Sequence, residues 1–294
     1  ARNGLALRDM LIACHTLDED QAMDGFESYT RSQYHPNNIT MVVGSESQLI
    51  YAAVHTLLRR KGRMTEGQKW MRSLIDQVWT PKPDGIKEDC AALLSDLSGL
   101  ITTAAATRPS GQVLHTDEHT AYPRALQAVA PLREELKRGR LRHERISSRV
   151  PRTASNPLFS VNYIDRQLRK DKGEYVRETV KQGREVNCQM ERMAIFMMVH
   201  NFLQPHRVHD KANPWQGPRH ADVAGVEDSE ILGLLRRLTT HRHIYGHLRA
   251  KPEWIRRIWQ HDYENPPAVK LKKKRLVVRR VALEQGKLPA HFLA

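Results

Sequence analysis

The chain has 294 residues, of which 47 are Lys or Arg and 33 are Asp or Glu, so its formal net charge is +14. This length suits one large domain with appendages, and the basic excess makes nucleic acid the first partner to consider. The three cysteines, Cys14, Cys90 and Cys188, lie far apart and form no C-x-x-C pair, which argues against a disulfide framework and a zinc ribbon.

The sequence carries no sign of membrane insertion or export. No apolar run approaches the length of a membrane span, and the N-terminal ARNGLALRDM lacks the apolar core of a signal peptide. We therefore predict a soluble, cytoplasmic, nucleoid-associated protein. The chain begins with Ala and not Met, so a fragment or a processed chain that lacks an upstream module is one interpretation of its N-terminus.

The first third of the chain predicts a helix, a group of strands and a helical region. Residues 5–14 carry apolar side chains at helical spacing. Residues 22–54 contain three strand-like runs separated by turn residues, which predicts three antiparallel strands or two strands and a helix. Residues 56–105 have helical periodicity around a Pro- and Gly-containing break, and we interpret them as a helical insertion or crossover.

The middle of the chain predicts one further strand and three helices. QVLHTDEH reads as a strand that leads into Asp117, and AYPRALQAV reads as the helix that follows it. Helices are then predicted over about 160–182 and about 186–203. The second of these is apolar nearly all round, so we expect it at the centre of the core.

Two segments are strongly basic. Residues 131–152 contain eight Lys or Arg against three Glu, which is typical of either a solvated helix face or a DNA-contacting surface. Residues 266–294 contain eight Lys or Arg and one Glu, and form either an edge strand or an arm that orders on DNA. The candidate DNA contacts in these segments are Arg140, Arg142, Arg145, Lys272, Lys273, Lys274 and Arg275.

Three aspartates have the surroundings that a two-metal phosphoryl-transfer site requires. Hard divalent cations such as Mg²⁺ prefer carboxylate oxygens, and an ionised carboxylate among apolar residues is costly without a cation. Asp24 lies inside the first strand, and Asp117 follows Leu114 at the carboxyl end of a predicted parallel strand. Asp165 lies on the next long helix, at the boundary of its buried side.

Alternatives to these acids remain open. Asp18, Asp20 and Glu27 are close to Asp24, although the first two precede the strand. Glu191, on the apolar helix, is the rival third acid, and its other interpretation is a residue at the edge of the core that pairs with a neighbouring arginine. Arg166 and Arg169 lie about one turn apart on the same predicted helix as Asp165, and we regard both as candidate contacts to DNA phosphates.

Histidines and tryptophans offer weaker candidates. His243 and His247 have the i, i+4 spacing that suits zinc on a helix, but Gly246 weakens that helix and ordinary surface histidines are favoured. His115 and His119 flank the second acid as candidate DNA contacts, and His143 is interpreted as structural. Trp215, Trp254 and Trp259 are interpreted as packing residues. For Trp254, stacking on an unpaired base is the alternative.

Several stretches follow one another in an order that is fairly specific as a set. They are MDGFESYTRSQY, LRRKGRMTEGQ, HTDEHTAYPRAL, PRTASNPLFSVNYIDRQLRKD and YVRETVKQGREVNCQMERMAIFMMVHNFLQPHR. Over roughly residues 20–210 the chain thereby resembles the catalytic core of bacterial DDE-type insertion-sequence transposases. The resemblance implies an α/β, ribonuclease H-like mixed sheet flanked by helices and three metal-binding acids, which match Asp24, Asp117 and Asp165. The third acid of that family is usually Glu.

The resemblance also implies an organisation and a function. Residues 1–20 are expected to form an N-terminal helix and linker, residues 21–205 the catalytic domain with its helical insertion, and residues 206–294 a basic C-terminal extension. The expected activity is DNA cleavage and strand transfer with two Mg²⁺ or Mn²⁺ ions. The expected partners are double-stranded DNA, both element ends and target, and further copies of the chain. The alternatives are an inactive DNA-binding protein of the same fold and a nuclease that cuts without joining.

Overall fold

The structure is a computed structural model, and it describes residues 2–14, 16–176, 183–207, 213, 215–226, 233 and 236. Several predictions fall outside the described residues, and nothing further is derived from them. They are most of the helix near 228–239, the histidines His241, His243 and His247, the tryptophans Trp254 and Trp259, and the basic arm with Lys272, Lys273, Lys274 and Arg275.

Within the described residues, five strands form one mixed sheet in the order β3-β2-β1-β4-β5. The strands are β1 (Gln21–Tyr29), β2 (Pro36–Gly44), β3 (Ile50–Leu57), β4 (Gln112–Thr116) and β5 (Leu141–Arg145). The first three pair antiparallel, with Asp24 opposite Met41, so three strands and not two strands and a helix occupy residues 22–54. In contrast, β4 runs parallel to both β1 and β5.

Helices cover both faces of this sheet. They are α1 (Arg2–Cys14), α2 (Glu66–Asp76), α3 (Gly85–Thr107), α4 (Ala121–Ala128), α5 (Ala130–Lys137), α6 (Phe159–Asp171), α7 (Val186–Phe202) and α8 (His220–Val223). A mixed sheet flanked by helices is therefore confirmed as the fold class.

Alternation along the strands divides the core in two. Successive strand residues point to opposite faces. Met23 thus packs in the cluster that contains residues of α3, α4 and α5, whereas its neighbours Ala22 and Phe26 pack in the cluster that contains residues of α6 and α7. The buried apolar residues of α7 belong to this second cluster, except Phe202, which packs in the first, so α7 is part of the core as expected. It covers one face of the sheet and is not enclosed all round, because Arg192 and Ile195 on its outer side are exposed.

The helical insertion begins later than the sequence suggested, because β3 extends to Leu57. Thr65 then starts α2 with a capping box, in which its hydroxyl accepts from the backbone N–H of Gln68 at 3.3 Å. The helix α3 has 23 residues and is long and apolar enough to cross a membrane by length and composition alone, contrary to the expectation that no run approaches that length. Its buried side packs in the core against β3, α4 and α5.

Two sequence predictions are wrong, one about the length of a helix and one about the burial of a tryptophan. The helix predicted over 160–182 ends at Asp171, because Lys172 adopts an extended backbone and a 3-10 turn, Gly173–Tyr175, follows. The buried Tyr175 donates its hydroxyl to the backbone oxygen of Gln189 at 2.6 Å and packs edge-on against Phe26, and these contacts hold the chain in the turn. Trp215, interpreted as a packing residue, is 64% exposed.

The turn between β2 and β3 is held on two sides. The carboxylate of Glu19 accepts the backbone N–H groups of residues 46 and 47 at 2.8 and 2.9 Å. Three imidazoles donate to successive carbonyl oxygens of the same turn: His206 to Glu46 at 3.1 Å, His220 to Ser47 at 2.7 Å and His200 to Gln48 at 3.0 Å. We call these three residues the histidine clamp; it joins α7 and α8 to the sheet.

Candidate active site

Asp24 and Asp117 are brought together by the parallel pairing of β1 and β4. The register places Met23 opposite Thr116, so the two aspartates are the next residues along their strands. Thr116 ends β4, and Asp117 therefore lies at the carboxyl end of a parallel strand, as predicted. Open sheets commonly place their functional residues at this edge.

Asp165 approaches the first aspartate from the helical layer. Asp24 lies on the same face of β1 as Ala22 and Phe26, which pack on the side of the sheet that α6 covers. The helix α6 lies on β1 and β2, and its residues Val161 and Asn162 line a small cavity together with both carboxylates. The structure thus places Asp24 and Asp165 on one cavity between strand and helix.

The electrostatics link all three acids. The pKa of Asp24 is raised from 3.8 to about 6, mainly because burial penalises the charged form and then because of the negative charge of Asp117. Asp165 raises the same pKa further, and the nearby Arg152 lowers it. Burial also raises the pKa of Asp165, although the guanidinium of Arg169 opposes this shift. A carboxyl group whose pKa is raised by burial and by neighbouring acids, as that of Asp24 is, is typical of functional sites.

Each acid has one hydrogen-bonded oxygen. The Oδ1 atom of Asp24 accepts the backbone N–H of Gly25 at 2.7 Å, and that of Asp117 accepts the backbone N–H of His119 at 2.8 Å. The Oδ1 atom of Asp165 accepts Nε of Arg169, also at 2.7 Å. These contacts orient the carboxylates, and the arginine neutralises the third one.

The donor set suits a hard divalent cation in its chemistry but is not a closed metal site. Buried carboxylates that repel one another gain from a cation between them, and Mg²⁺ binds through carboxylate oxygens. Within the ranges that the structure covers, however, no group of three or more His, Cys, Asp or Glu side chains is arranged to hold a metal ion. Asp165 would have to exchange the guanidinium of Arg169 for the metal.

The glycine beside the first acid lies close to a side chain of the neighbouring strand. A Cβ atom on Gly25 would lie 2.4 Å from the side-chain oxygen of Asn38, so the Asn38 side chain would have to move. The hydroxyl of Thr40 donates to that oxygen at 2.8 Å. A larger residue next to Asp24 would therefore disturb this hydrogen bond.

Sequence reasoning missed one residue that acts on the site and interpreted another, His143, only as structural. Arg152 was counted only as one basic residue among many, yet its charge acts on Asp24. His143 lies 2.8 Å from the hydroxyl of Thr116, which itself donates to the backbone oxygen of Asp117. Burial lowers the pKa of His143 to about 4, so a neutral imidazole steadies the strand end that carries the second acid.

The alternative acids lie differently. Glu191 is on α7 and is not among the groups whose charge acts on Asp24. Asp20 accepts Arg108 at 2.8 Å, and Asp18 lies 3.8 Å from the same guanidinium. This ion-pair cluster precedes β1, in agreement with the view that these two acids come before the strand.

The candidate phosphate contacts fall into two groups. Three of them are already bonded within the chain: Arg169 to Asp165, Arg140 to the carboxylate of Glu135 at 2.7 and 2.8 Å, and Arg145 to the backbone oxygen of Glu118 at 2.7 Å. Arg142 and Arg166 are exposed. Of the two histidines that flank the second acid, His119 is exposed, whereas His115 is buried with Nδ1 3.4 Å from the carboxylate of Glu144.

Comparison with known proteins adds no relative. The chain matches no protein-family model and no curated protein.

Proposed function

We propose that this chain is the catalytic part of a DNA transposase that cleaves and joins DNA with divalent metal ions. The observation that carries the proposal is the convergence of Asp24 and Asp117 on adjacent parallel strands, with Asp165 facing Asp24 across one cavity. Their coupled charges are those expected of a site that binds cations.

Each acid has a distinct role in the proposed reaction. Two divalent ions, Mg²⁺ or Mn²⁺, would activate the attacking oxygen and stabilise the leaving oxygen. Asp24 and Asp117 would hold them at the sheet edge, and Asp165 would close the site from α6. Arg169, when released from Asp165, would contact a DNA phosphate, because a guanidinium that leaves a carboxylate gains most from another oxyanion.

The architecture supports the finer fold assignment. A ribonuclease H-like core is a mixed sheet flanked by helices, and this chain places an antiparallel β1–β2–β3 unit beside the parallel strands β4 and β5. The acids come from a central strand, the end of its parallel neighbour and a covering helix. We therefore propose a ribonuclease H-like catalytic domain.

The test is metal-dependent cleavage of duplex DNA that carries the element ends. We expect Asp117→Asn and Asp165→Asn each to lower the cleavage rate by at least about a hundredfold, because each removes a charged metal ligand. Asp171→Asn, a charge-matched change of an exposed residue on the same helix, should leave the rate unchanged. Full Mg²⁺-dependent cleavage by Asp117→Asn would refute the site.

One observation favours a second candidate, an inactive DNA-binding protein of the same fold. Asp165 forms an ion pair with Arg169 at 2.7 Å, so its carboxylate already has a cationic partner. This candidate predicts that DNA binding is indifferent to Mg²⁺ and that no cleavage product forms at any metal concentration. Transposase activity predicts cleavage products that form only when divalent metal is present.

A further inference from the structure

A large groove opens at the same sheet edge as Asp117. Its volume is about 820 Å³, and three separate segments line it: residues 57–63 after β3, residues 81–87 at the start of α3 and residues 119–121 with Arg124 at the start of α4. Side chains from the ends of β1 and β2 form its floor. We call this surface the basic groove.

The charge of the basic groove is strongly positive. Seven Lys or Arg line it against two carboxylates: Arg59, Arg60, Lys61, Arg63, Lys82, Lys87 and Arg124 against Glu27 and Asp84. Arg59, Lys82 and Arg124 form ion pairs with carboxylates. The exposed Lys61 and Arg63 form none with any described residue. Positive charge thus remains for a partner outside the protein.

Arg60 shows an unmet bonding need in the same wall. Its guanidinium lies 5.3 Å from the centre of the Tyr34 ring, and its Nη1 atom is buried with no hydrogen-bond acceptor among the described residues. A buried donor without an acceptor is unfavourable. Because this atom is enclosed, the charge that a partner in the groove can reach is the exposed charge of Lys61 and Arg63.

The basic groove leads directly to the second acid. His119 lines the groove, and its backbone N–H binds the carboxylate of Asp117. On the other side of β4 lies β5, which carries the exposed Arg142 and Arg145. The acids thus lie between two basic surfaces along one sheet edge. A polyanion that reached them would extend over both.

We propose that the basic groove binds the phosphate backbone of duplex DNA beside the bond that the acids cleave. This inference rests on the proposed function, which supplies the duplex. Phosphate contacts position DNA without reading its sequence, so the groove would bind element ends and unrelated duplexes equally well. The proposal assigns a DNA-binding role to Lys61 and Arg63, which lie far in sequence from the two basic segments, residues 131–152 and 266–294.

The experiment measures DNA binding without cleavage. Lys61→Gln/Arg63→Gln is compared with Arg133→Gln/Lys137→Gln, which removes the same charge from the half-buried Arg133 and the exposed Lys137 on α5 outside the groove. Both double variants carry Asp117→Asn, and EDTA removes divalent metal. Fluorescence anisotropy gives the Kd for a labelled duplex over a range of salt concentrations. Because each phosphate contact contributes about 0.9 to the slope of log K against log salt, the groove variant should bind with a slope shallower by about 2.

A second measurement needs no variant. Bound duplex should protect Lys61 and Lys87 of the full chain from amine-modifying reagent, and Lys137 should remain reactive. An unchanged salt slope in the groove variant, or Lys61 that stays reactive on DNA, would overturn the proposal.

The outcomes also separate the two proposals. If the chain binds duplex but the groove variant behaves like its control, only the groove assignment fails. If the chain binds no DNA, both fail. If the variant loses binding to an acidic peptide and keeps its affinity for duplex, the groove takes a protein partner and the proposal is wrong.

Discussion

Asp24 lies where burial and a neighbouring carboxylate disfavour its ionised form. Its pKa of about 6 is above the ordinary value of 3.8, so the folded protein binds this proton more tightly than the unfolded chain does. The contribution of Asp24 to stability is therefore complete below pH 3.8 and is lost as the pH rises through 6. At neutral pH the metal-free protein carries a destabilising charge.

We expect Asp24→Asn to stabilise the metal-free protein at pH 7. A pKa shift of about two units corresponds to roughly 3 kcal/mol, and an amide removes the charge while its oxygen can still accept the N–H of Gly25. The gain should nearly vanish at about pH 4, because the folded wild-type protein is then protonated. Urea unfolding at both pH values in EDTA measures it.

The exposed Asp18 provides the control for this change. Asp18→Asn should alter the free energy of unfolding by less than about 0.5 kcal/mol, as is usual for surface positions. A destabilised Asp24→Asn variant at both pH values would contradict the expected charge effect. Loss of cleavage together with a gain in stability is the signature of a functional carboxylate.

At the residue scale, the sequence predicted where the candidate acids lie in the fold better than it predicted which side chains bond to them. Asp117 was predictable because an acid after a buried strand lies at the sheet edge whatever its neighbours are. The ion pair of Arg169 with Asp165 was not, because the spacing predicted neighbouring positions on one helix but not the competition between a carboxylate and a phosphate for one guanidinium. Arg152 was hidden because its approach to Asp24 depends on the course of a loop.

The histidine clamp is the clearest device at the scale of elements. Its members lie on α7, on α8 and between them, and they hold the β2–β3 turn by donating to backbone oxygens. The rings of His200 and His220 stack with centroids 3.8 Å apart. Burial lowers the pKa of His200 to about 4 and that of His220 to about 3, so both rings are neutral.

We expect the clamp to make the fold sensitive to acid. In the unfolded chain a histidine takes up its proton near pH 6.5, and in the clamp it does so only near pH 3 to 4. The stabilising contribution is therefore complete above about pH 6.5 and is lost progressively as the pH falls towards 4. His220→Phe should keep the stacking and lose both the hydrogen bond and the titrating group.

Urea unfolding as a function of pH tests this element. We expect His220→Phe to lower the free energy of unfolding at pH 7 by roughly 1–3 kcal/mol, since the oxygen of Ser47 loses its donor. Its stability should then fall less steeply between pH 6.5 and 5 than that of the wild-type protein. His119→Asn, at an exposed histidine, should leave the slope unchanged; an equal slope in both variants would refute the clamp as the source.

Apolar periodicity predicted the helices and strands that have a regular buried face. The three antiparallel strands and α7 follow from apolar patterns, and their existence was predictable. The helix over 160–182 was predicted too long because its apolar pattern continues to Tyr175, whose burial comes from a turn and a hydrogen bond to α7 and not from a helix face. The short strand β5 was obscured because exposed charged residues occupy most of it.

At the scale of the whole molecule, net charge predicted the class of partner and not its location. The basic groove collects residues from three segments that are up to about sixty positions apart, and the packing of α3 against both β3 and α4 brings them together. The sequence drew attention to residues 131–152, where Arg140 is instead bonded to Glu135. Linear density of charge is thus a weak guide to a binding surface.

The proposed strand transfer makes a prediction about assembly. Joining requires two DNA ends to be held together, so we expect two or more copies of the chain on a pair of end-bearing duplexes. Light scattering of the purified complex in EDTA would give its stoichiometry, with Asp117→Asn as a variant that should assemble normally. A single copy per duplex at all concentrations would favour a nuclease that cuts without joining.

The position of β1 at the centre of the sheet has a consequence for synthesis of the protein. β1, β2 and β3 are consecutive and can pair as soon as they emerge, but β4 follows only after roughly 50 further residues, which takes roughly 3–10 s at ordinary translation rates. Until then the edge of β1 that carries Asp24 is open to other chains, and open edges invite aggregation. The nascent protein should need a chaperone most during this interval.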